Sequence, residues 1–207
     1  MLLHDILVHN RRRRGDATAL ISQDGRRLTF AGLHDRSMQL AHALGAQGSA
    51  GEHVAILADN QPEYVEAYYG VPAAGRRLVF LNYRLAVPEL VRIVDDAEAT
   101  VLLHTEGLAD AAAAIAAQCD SVDRTLCLGD EYAAFIDGQP TTVPDAAVTD
   151  SDPAWLIYTS GTTGMPKGAM ISHRNLFASM FNAQVSMPAE PPPEPCFLFP
   201  FPLCHIA

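Results

Sequence analysis

The sequence has few cysteines and no long apolar run, and each shortage excludes a class of protein. Its four cysteines (Cys119, Cys127, Cys196 and Cys204) form no C-x-x-C pair, and no histidines cluster beside them. This pattern argues against a zinc site and against a disulfide framework. Scattered thiols are typical of a reducing compartment, so we predict a cytoplasmic protein. No apolar stretch reaches the length of a membrane span.

Basic residues are also scarce, since 14 Lys+Arg stand against 24 Asp+Glu, for a net charge of −10. This acidity argues against a general affinity for nucleic acid. The exception is the run Arg11–Arg14, which follows the apolar residues Leu3, Ile6 and Leu7. A signal peptide has the opposite order, with charge first. Peripheral contact with an acidic membrane surface is one interpretation of this segment. We favour a short helix that packs on the domain and has a solvated basic end.

Two common nucleotide-binding motifs are missing. The sequence contains no G-x-G-x-x-G, so it lacks the dinucleotide-binding fingerprint. It also fails the pattern G-x-x-x-x-G-K-[ST]. Counted from Gly161, Pro166 stands at the second glycine position and Gly168 stands where a serine or threonine is required. A kinase or GTPase is therefore disfavoured.

Short apolar strands alternate with helices through residues 53–128. We predict strands at 53–58, 78–82, 100–104 and 124–128, separated by helices. This alternation indicates parallel βαβ units and an α/β fold whose sheet is buried on both faces. Residues 19–30 precede these units and predict a hairpin that turns at Asp24-Gly25. We predict that Thr29 then caps a helix. We interpret residues 129–152 as an irregular connecting segment.

A strand, a loop rich in glycine and hydroxyl residues, and a lysine follow each other in residues 155–168, WLIYTSGTTGMPKG. Glycine permits backbone conformations that direct successive N–H groups towards an anion. Hydroxyl groups add donors and the lysine adds positive charge. We therefore predict a polyphosphate-binding loop, with a helix beginning at Ser172 or His173. Its candidate binding residues are Thr159, Ser160, Gly161, Thr162, Thr163, Gly164 and Lys167.

Residues 158–175, YTSGTTGMPKGAMISHRN, closely resemble the phosphate-loop signature of the adenylate-forming (AMP-binding) enzymes. That superfamily comprises acyl-CoA synthetases, adenylation domains of peptide synthetases and beetle luciferases. Residues 60–75, 81–103 and 202–207 are similar to other blocks of the family. One departure is Val87-Pro88, where family members often carry Thr-Pro. The resemblance covers the whole chain and implies an incomplete AMP-binding domain built of parallel βαβ layers. Residues 1–150 would form its first α/β subdomain, and residues 151–207 the phosphate-loop strand, a helix and the start of a second sheet.

The resemblance also implies a chemistry. Family enzymes use ATP and Mg²⁺ to convert a carboxylic acid into an acyl adenylate, and the synthetases then transfer the acyl group to CoA. By this resemblance, residues 159–164 hold the β- and γ-phosphates, and Thr159 is also a candidate magnesium ligand. Lys167 would add positive charge on the pyrophosphate side, and His205 would lie beside the carboxylate. We assign no chemistry to His173, predicted to hydrogen-bond locally at the helix start, or to Arg174, predicted to be a surface charge.

Several family features are missing from the sequence. It lacks the adenine-binding Gly-Tyr-Gly-x-Thr-Glu block, the ribose-binding aspartate, the hinge and the lysine of the C-terminal domain. We therefore expect an N-terminal fragment of an acyl-CoA synthetase for a fatty or related acid, a fragment that does not complete the reaction alone. A peptide-synthetase or luciferase-like member is an alternative, as is a non-catalytic partner-binding domain. No residue here sets the acyl chain length.

Two expectations concern the end of the sequence. Residues 188–195, PAEPPPEP, predict an exposed extended loop. Residues 197–203, FLFPFPL, predict an apolar strand with an open edge. Because an open edge can pair with another chain, we expect that the protein self-associates through this segment or exchanges it between copies, or else that the segment is disordered.

Overall fold

The structure, a computed structural model, describes residues 1–159, 166–186 and 196–205. Within these ranges the strands are β1 (Thr18–Ile21), β2 (Arg27–Thr29), β3 (His53–Leu57), β4 (Arg77–Phe80), β5 (Ala99–His104), β6 (Arg124–Cys127), β7 (Pro153–Thr159) and β8 (Lys167–Ser172). The α-helices are α1 (Asp5–Arg14), α2 (Phe30–Gly45), α3 (Pro62–Ala73), α4 (Val87–Asp96), α5 (Ala109–Ala116), α6 (Asp130–Ile136) and α7 (His173–Ser186).

Six strands form one sheet in the order β6-β5-β3-β4-β7-β8. The first five are parallel to one another, and β8 pairs antiparallel with β7. This confirms the predicted α/β fold, because parallel neighbours require crossover connections, and helices supply them. The phosphate-loop strand β7 pairs with β4, so both sides of residue 150 contribute to this sheet. The division into 1–150 and 151–207 stays a prediction.

Apolar side chains cover both faces of the sheet. Along β3, Val54 and Ile56 join a cluster that includes residues of α2, α3 and α6. Ala55 and Leu57 point the other way and join a cluster with residues of α4 and α5. All four are fully buried. Residues 54–57 of β3 are therefore apolar in succession, as expected for a strand with helices on both faces of its sheet.

The predicted hairpin and helix cap are both present. Strands β1 and β2 pair antiparallel, and Gly25 in their connection adopts φ +84°, a conformation that favours glycine. The hydroxyl of Thr29 accepts a hydrogen bond from the Gly32 N–H at 3.0 Å and so caps α2. Local sequence chemistry alone was sufficient to predict this part of the fold.

Helix α1 packs on the domain, in agreement with the interpretation that we favoured. Leu3 and Leu7 are each only 1% exposed, so neither is available for contact with a membrane surface. The arginines at the end of α1 are exposed, and Arg11 forms an ion pair with Asp35 at 3.0 Å. Among the described residues, no helix is long and apolar enough to cross a membrane.

The structure corrects two predictions of local structure. Lys167–Ser172, which we took as a loop leading into a helix, forms β8, because these residues pair with the free edge of β7. Asp130–Ile136, inside the predicted irregular segment, forms α6. Tyr132 and Ile136 are four residues apart on one helix face and are both buried. Seven residues give too short a periodic pattern to be recognised from sequence.

The predicted strand at residues 197–203 is wrong. Residues 196–205 have no strand pairing, and the apolar side chains of Phe197 and Leu198 are largely exposed. Pro200 and Pro202 lack N–H donors, which explains why this apolar run does not extend a sheet. The predicted loop at residues 188–195 lies outside the described residues.

Candidate active site

The carboxyl ends of β3, β4 and β7 lie side by side at one edge of the sheet. The three strands are adjacent and parallel, so the segments that follow them emerge at the same edge. In open α/β sheets, ligands bind at this edge. Asn60 follows β3, Asn82 follows β4, and Thr159 is the last residue of β7. The register pairs Phe80 with Ile157, two residues before Asn82 and Thr159 on their respective strands.

The candidate phosphate loop closes the hairpin between β7 and β8. Thr159 is paired with Lys167 in the antiparallel register, and both are exposed. The pairing holds the two ends of the loop side by side at the carboxyl end of β7. Ser160, Gly161, Thr162, Thr163 and Gly164 lie outside the described residues. Of the predicted binding residues, the structure therefore describes Thr159 and Lys167, and it brings them together.

Two residues that face each other across the hairpin, Tyr158 and Gly168, hold its strands in place. The sequence analysis did not predict their contacts. The Tyr158 hydroxyl donates a hydrogen bond to Asp96 Oδ2 of α4 at 2.5 Å. Burial, together with this carboxylate, raises the pKa of Tyr158 above its ordinary value. Gly168, the register partner of Tyr158, leaves room for it, because an added Cβ would lie 2.9 Å from Leu156 and 3.1 Å from the Tyr158 ring. The absence of a side chain at Gly168 thus permits the close packing of β7 against β8.

The segment that carries His205 is clamped by side chains of the first 150 residues. Asn60 Nδ2 donates to the Phe201 carbonyl at 2.8 Å, and Asn60 Oδ1 accepts from the Leu203 N–H at 2.7 Å. The Tyr68 hydroxyl donates to the Leu203 carbonyl. Cys204 is buried in the core cluster against which Tyr68 packs. These contacts hold residues 201–204 against the carboxyl edge.

His205 itself is exposed at the end of this segment. Its ring Nε2 lies 3.2 Å from Asn82 Nδ2, and its backbone N–H donates to the Pro202 carbonyl at 2.9 Å. Because Asn82 follows β4 and Thr159 ends the neighbouring β7, His205 and the phosphate-loop hairpin lie at the same edge of the sheet. No sequence signal predicted the part that Asn60 and Asn82 have in this arrangement.

Comparison with known proteins decides the family. Residues 7–207 match the family model described as "AMP-binding enzyme". The chain belongs to the AMP-binding enzyme family. It is 41% identical over 170 residues to a feruloyl-CoA synthase of an Amycolatopsis species, which covers 82% of this chain and 33% of that protein. It is also 36% identical over 162 residues to a linear gramicidin synthase of Brevibacillus parabrevis, covering 78% of this chain and 2% of that protein.

A solved structure agrees with this assignment. The crystal structure of an anthranilate CoA ligase in complex with anthranoyl-AMP superposes with a TM-score of 0.81 at 29% identity. The match covers 88% of this chain and 37% of that one. The chain thus spans about a third of the length of the CoA ligases to which it is similar. The resemblance drawn from the signature is confirmed at the level of family and fold.

The residues at the carboxyl ends of the strands fit the phosphate groups of a nucleotide. An exposed ammonium group at Lys167 and a hydroxyl at Thr159 suit phosphate oxygens. The fit to magnesium is partial. Thr159 offers one neutral oxygen, and the described ranges contain no group of three His, Cys, Asp or Glu side chains able to hold a metal. Further magnesium ligands would have to be phosphate oxygens, water or residues outside the described ranges.

Two polar residues after the loop have structural roles. His173 is 1% exposed, and its Nδ1 accepts a hydrogen bond from the Leu3 N–H at 3.0 Å. The predicted local hydrogen bond of this ring is therefore wrong, because its partner lies at the other end of the chain. Arg174 is exposed as predicted and forms an ion pair with Asp150 at 2.7 Å. Neither side chain belongs to the phosphate-loop hairpin.

Proposed function

We propose that this AMP-binding chain is part of an ATP-dependent acyl-CoA synthetase. The enzyme would join a fatty or related carboxylic acid to AMP, release pyrophosphate and pass the acyl group to the CoA thiol. The observation that carries the proposal is the β7–β8 hairpin, which presents Thr159 and Lys167 on either side of a glycine- and hydroxyl-rich loop. The relatives named as CoA synthases and ligases support the same reaction class.

The roles of the residues follow from where charge develops. In adenylate formation, negative charge grows on the departing pyrophosphate, so fixed donors at the phosphates lower the barrier. Residues 159–164 supply backbone N–H and hydroxyl donors, and Lys167 supplies the positive charge. Thr159 is the proposed protein ligand of Mg²⁺, which would neutralise phosphate charge when bound. His205 faces the carboxylate and adenylate side.

The proposed setting is the cytosol. All four cysteines are free thiols in the structure, as expected in a reducing compartment. The proposed partners are small: a carboxylic acid, ATP and CoA.

Substrate and competence can be tested together. Acid-dependent pyrophosphate exchange should be measured for the 207-residue chain and for the full-length gene product, with a panel of fatty and aromatic acids. We expect exchange by the full-length protein with at least one acid. We expect none by the 207-residue chain, because its sequence lacks the adenine and ribose blocks. Exchange by the 207-residue chain would refute the prediction that this chain is inactive alone. A full-length protein that is inactive with every acid would refute the proposed synthetase activity.

Binding of ATP by the chain itself is a separate question with a direct test. Lys167 is the only lysine in the sequence, so amine-directed labelling reports on one side chain besides the N-terminus. Pyridoxal phosphate followed by borohydride should label both amines, and ATP should slow labelling at Lys167 only. Equal labelling with and without ATP would show that Lys167 does not contact bound nucleotide in this chain.

A second candidate is an adenylation domain of a peptide synthetase, which the 36% identity to a linear gramicidin synthase favours. Such a domain would activate an amino acid. Amino acids belong in the same exchange panel, and free CoA should be tested as the acyl acceptor. Exchange with an amino acid and no thioester formation with CoA would select this second candidate.

A further inference from the structure

Asn82 makes contacts on both sides of its amide group, and together they fix its orientation. Its Oδ1 accepts a hydrogen bond from the Arg84 N–H at 3.1 Å. A backbone N–H can only donate, so the atom facing Arg84 must be the amide oxygen. The amide nitrogen therefore faces His205 and lies 3.2 Å from its Nε2.

This orientation determines the hydrogen-bonding state of His205. An amide nitrogen can only donate, so Nε2 of His205 must accept. A neutral imidazole that accepts at one nitrogen carries its proton on the other. The contact with Asn82 thus selects the tautomer with hydrogen on Nδ1, which leaves Nδ1–H as the ring's donor. A doubly protonated ring would place two donors face to face at this contact.

The backbone of residues 201–204, which precede His205, is held by hydrogen bonds, so the orientation of the His205 ring is what remains to be set. Asn60 hydrogen-bonds on both sides of residue 202, to Phe201 and Leu203, and Cys204 is only 5% exposed. The imidazole extends from this anchored segment into solvent, with Asn82 as its hydrogen-bonding neighbour. Asn82 is half-buried and follows β4, so it is itself held by the sheet.

We propose that Asn82 is a positioning residue, which selects the Nδ1–H tautomer of His205 and orients that donor towards a substrate oxygen at the carboxyl edge. The substrate group is a carboxylate or an acyl-phosphate oxygen, both of which accept hydrogen bonds. This assignment rests on the proposed synthetase function. Its structural half, the tautomer, does not depend on activity and can be tested in the chain as it is.

The tautomer test uses the nitrogen chemical shifts of histidine in alkaline buffer, where free imidazole is neutral. His205→Gln identifies the His205 signals. We expect Nδ1–H in the wild-type chain. Asn82→Asp keeps the acceptor for Arg84 but places a carboxylate against Nε2, so the proton should move to Nε2. Asn10→Asp makes the same chemical change on α1 and should leave the tautomer unchanged. A wild-type ring with Nε2–H, or no change in Asn82→Asp, would overturn the assignment.

The catalytic half is tested in the full-length enzyme. Asn82→Asp and Asn82→Ala should each lower kcat/KM for adenylation about tenfold, the equivalent of roughly one hydrogen bond. Asn10→Asp should have no effect. Wild-type rates in both Asn82 variants of an active enzyme would refute the positioning role. An enzyme inactive with every acid would instead refute the proposed function, while the tautomer result would still stand. Should Asn82→Ala not fold, Asn82→Asp decides alone.

Discussion

The N–H of Leu3 donates a hydrogen bond to Nδ1 of His173 at 3.0 Å, although 170 positions separate the two residues. Both are 1% exposed. Leu3 lies just before α1, and His173 is the first residue of α7, directly after the phosphate-loop hairpin. One buried hydrogen bond therefore joins the start of the chain to the first residue of the helix that follows the phosphate-loop hairpin.

This bond predicts a pH-dependent stability. Burial, aided by the nearby His4, lowers the pKa of His173 to about 4, and Asp152 and Asp5 oppose the shift. The native ring is neutral, whereas the unfolded ring binds a proton below about 6.5. The contribution of His173 to the free energy of unfolding is therefore complete above pH ~6.5. It is lost as the pH falls towards ~4, and the loss is at most about 3 kcal/mol. Denaturant unfolding across this range should show the loss.

A matched pair of variants isolates the effect. His173→Gln keeps an acceptor for the Leu3 N–H but does not titrate, so its stability should fall less steeply between pH 6.5 and 4. His9→Gln changes an exposed histidine of α1 and should behave like wild type. An unchanged pH slope in His173→Gln would show that this histidine does not carry the dependence.

A second prediction concerns Glu66, a buried carboxylate between three helices. Arg36 Nε donates to its Oε1 at 2.6 Å, and the Tyr132 hydroxyl donates to its Oε2 at 2.8 Å. Burial raises the pKa of Glu66, while Arg36 and Tyr132 oppose this shift. Tyr132→Phe leaves a buried carboxylate oxygen without a donor. It should lower the free energy of unfolding by about 1–3 kcal/mol.

The comparison for Glu66 is Tyr83→Phe, which removes a hydroxyl from a half-buried tyrosine outside this network. We expect a change within about 0.5 kcal/mol. Equal losses in the two tyrosine variants, measured by denaturant unfolding, would mean that the hydroxyl of Tyr132 contributes nothing through Glu66.

A third prediction concerns the phosphate loop. In the full-length enzyme, Lys167→Ala and Thr162→Ala should each slow adenylation about a hundredfold, because one lost donor typically costs about 3 kcal/mol in the transition state. Lys167 is exposed, so its loss should leave the melting temperature unchanged. Arg12→Ala removes an exposed cation of α1 and should leave the rate unchanged. Wild-type turnover in Lys167→Ala would remove this residue from the chemistry.

A fourth prediction concerns self-association, which we now expect through β8 instead of residues 197–203. In the described part of the chain β8 and β6 are the two edge strands of the six-stranded sheet, and Met170 on β8 is 64% exposed. Phe181 and Val185 of the following helix are also exposed. An exposed apolar edge is a template for pairing with another copy. Light scattering over a concentration series should therefore show oligomers of the 207-residue chain.

A charge on the edge should reduce this association. Met170→Lys should shift the chain towards monomer, whereas Ile21→Lys, at a half-exposed position of the β1–β2 hairpin, should not. A version that ends at Val185 should still associate, because it keeps β8. Loss of association in that version alone would return the interface to residues 196–205, and a wild-type monomer at all concentrations would end the hypothesis.

The sequence by itself determined the α/β class, the alternation of strands and helices in parallel βαβ units, the β1–β2 hairpin and the phosphate-loop signature. These features depend on local chemistry: the apolar period of strands and helices, the Asp24-Gly25 turn, the Thr29 cap, and the spacing of glycines and hydroxyls. Each element carries its own signal, and the family was recognisable from a continuous stretch. Neighbouring residues are sufficient for such features.

Only the tertiary structure decided which distant groups meet. The Lys167–Ser172 strand exists because the edge of β7 offers a partner, and the run at 197–203 is not a strand because its prolines cannot join one. The pairs Leu3–His173 and Asn82–His205 join positions far apart in sequence. A hydrogen bond needs a donor and an acceptor from two residues. The sequence names both residues but does not say that they meet. Folding supplies the partner, and the partner determines which ring nitrogen of each histidine is in the hydrogen-bonded contact.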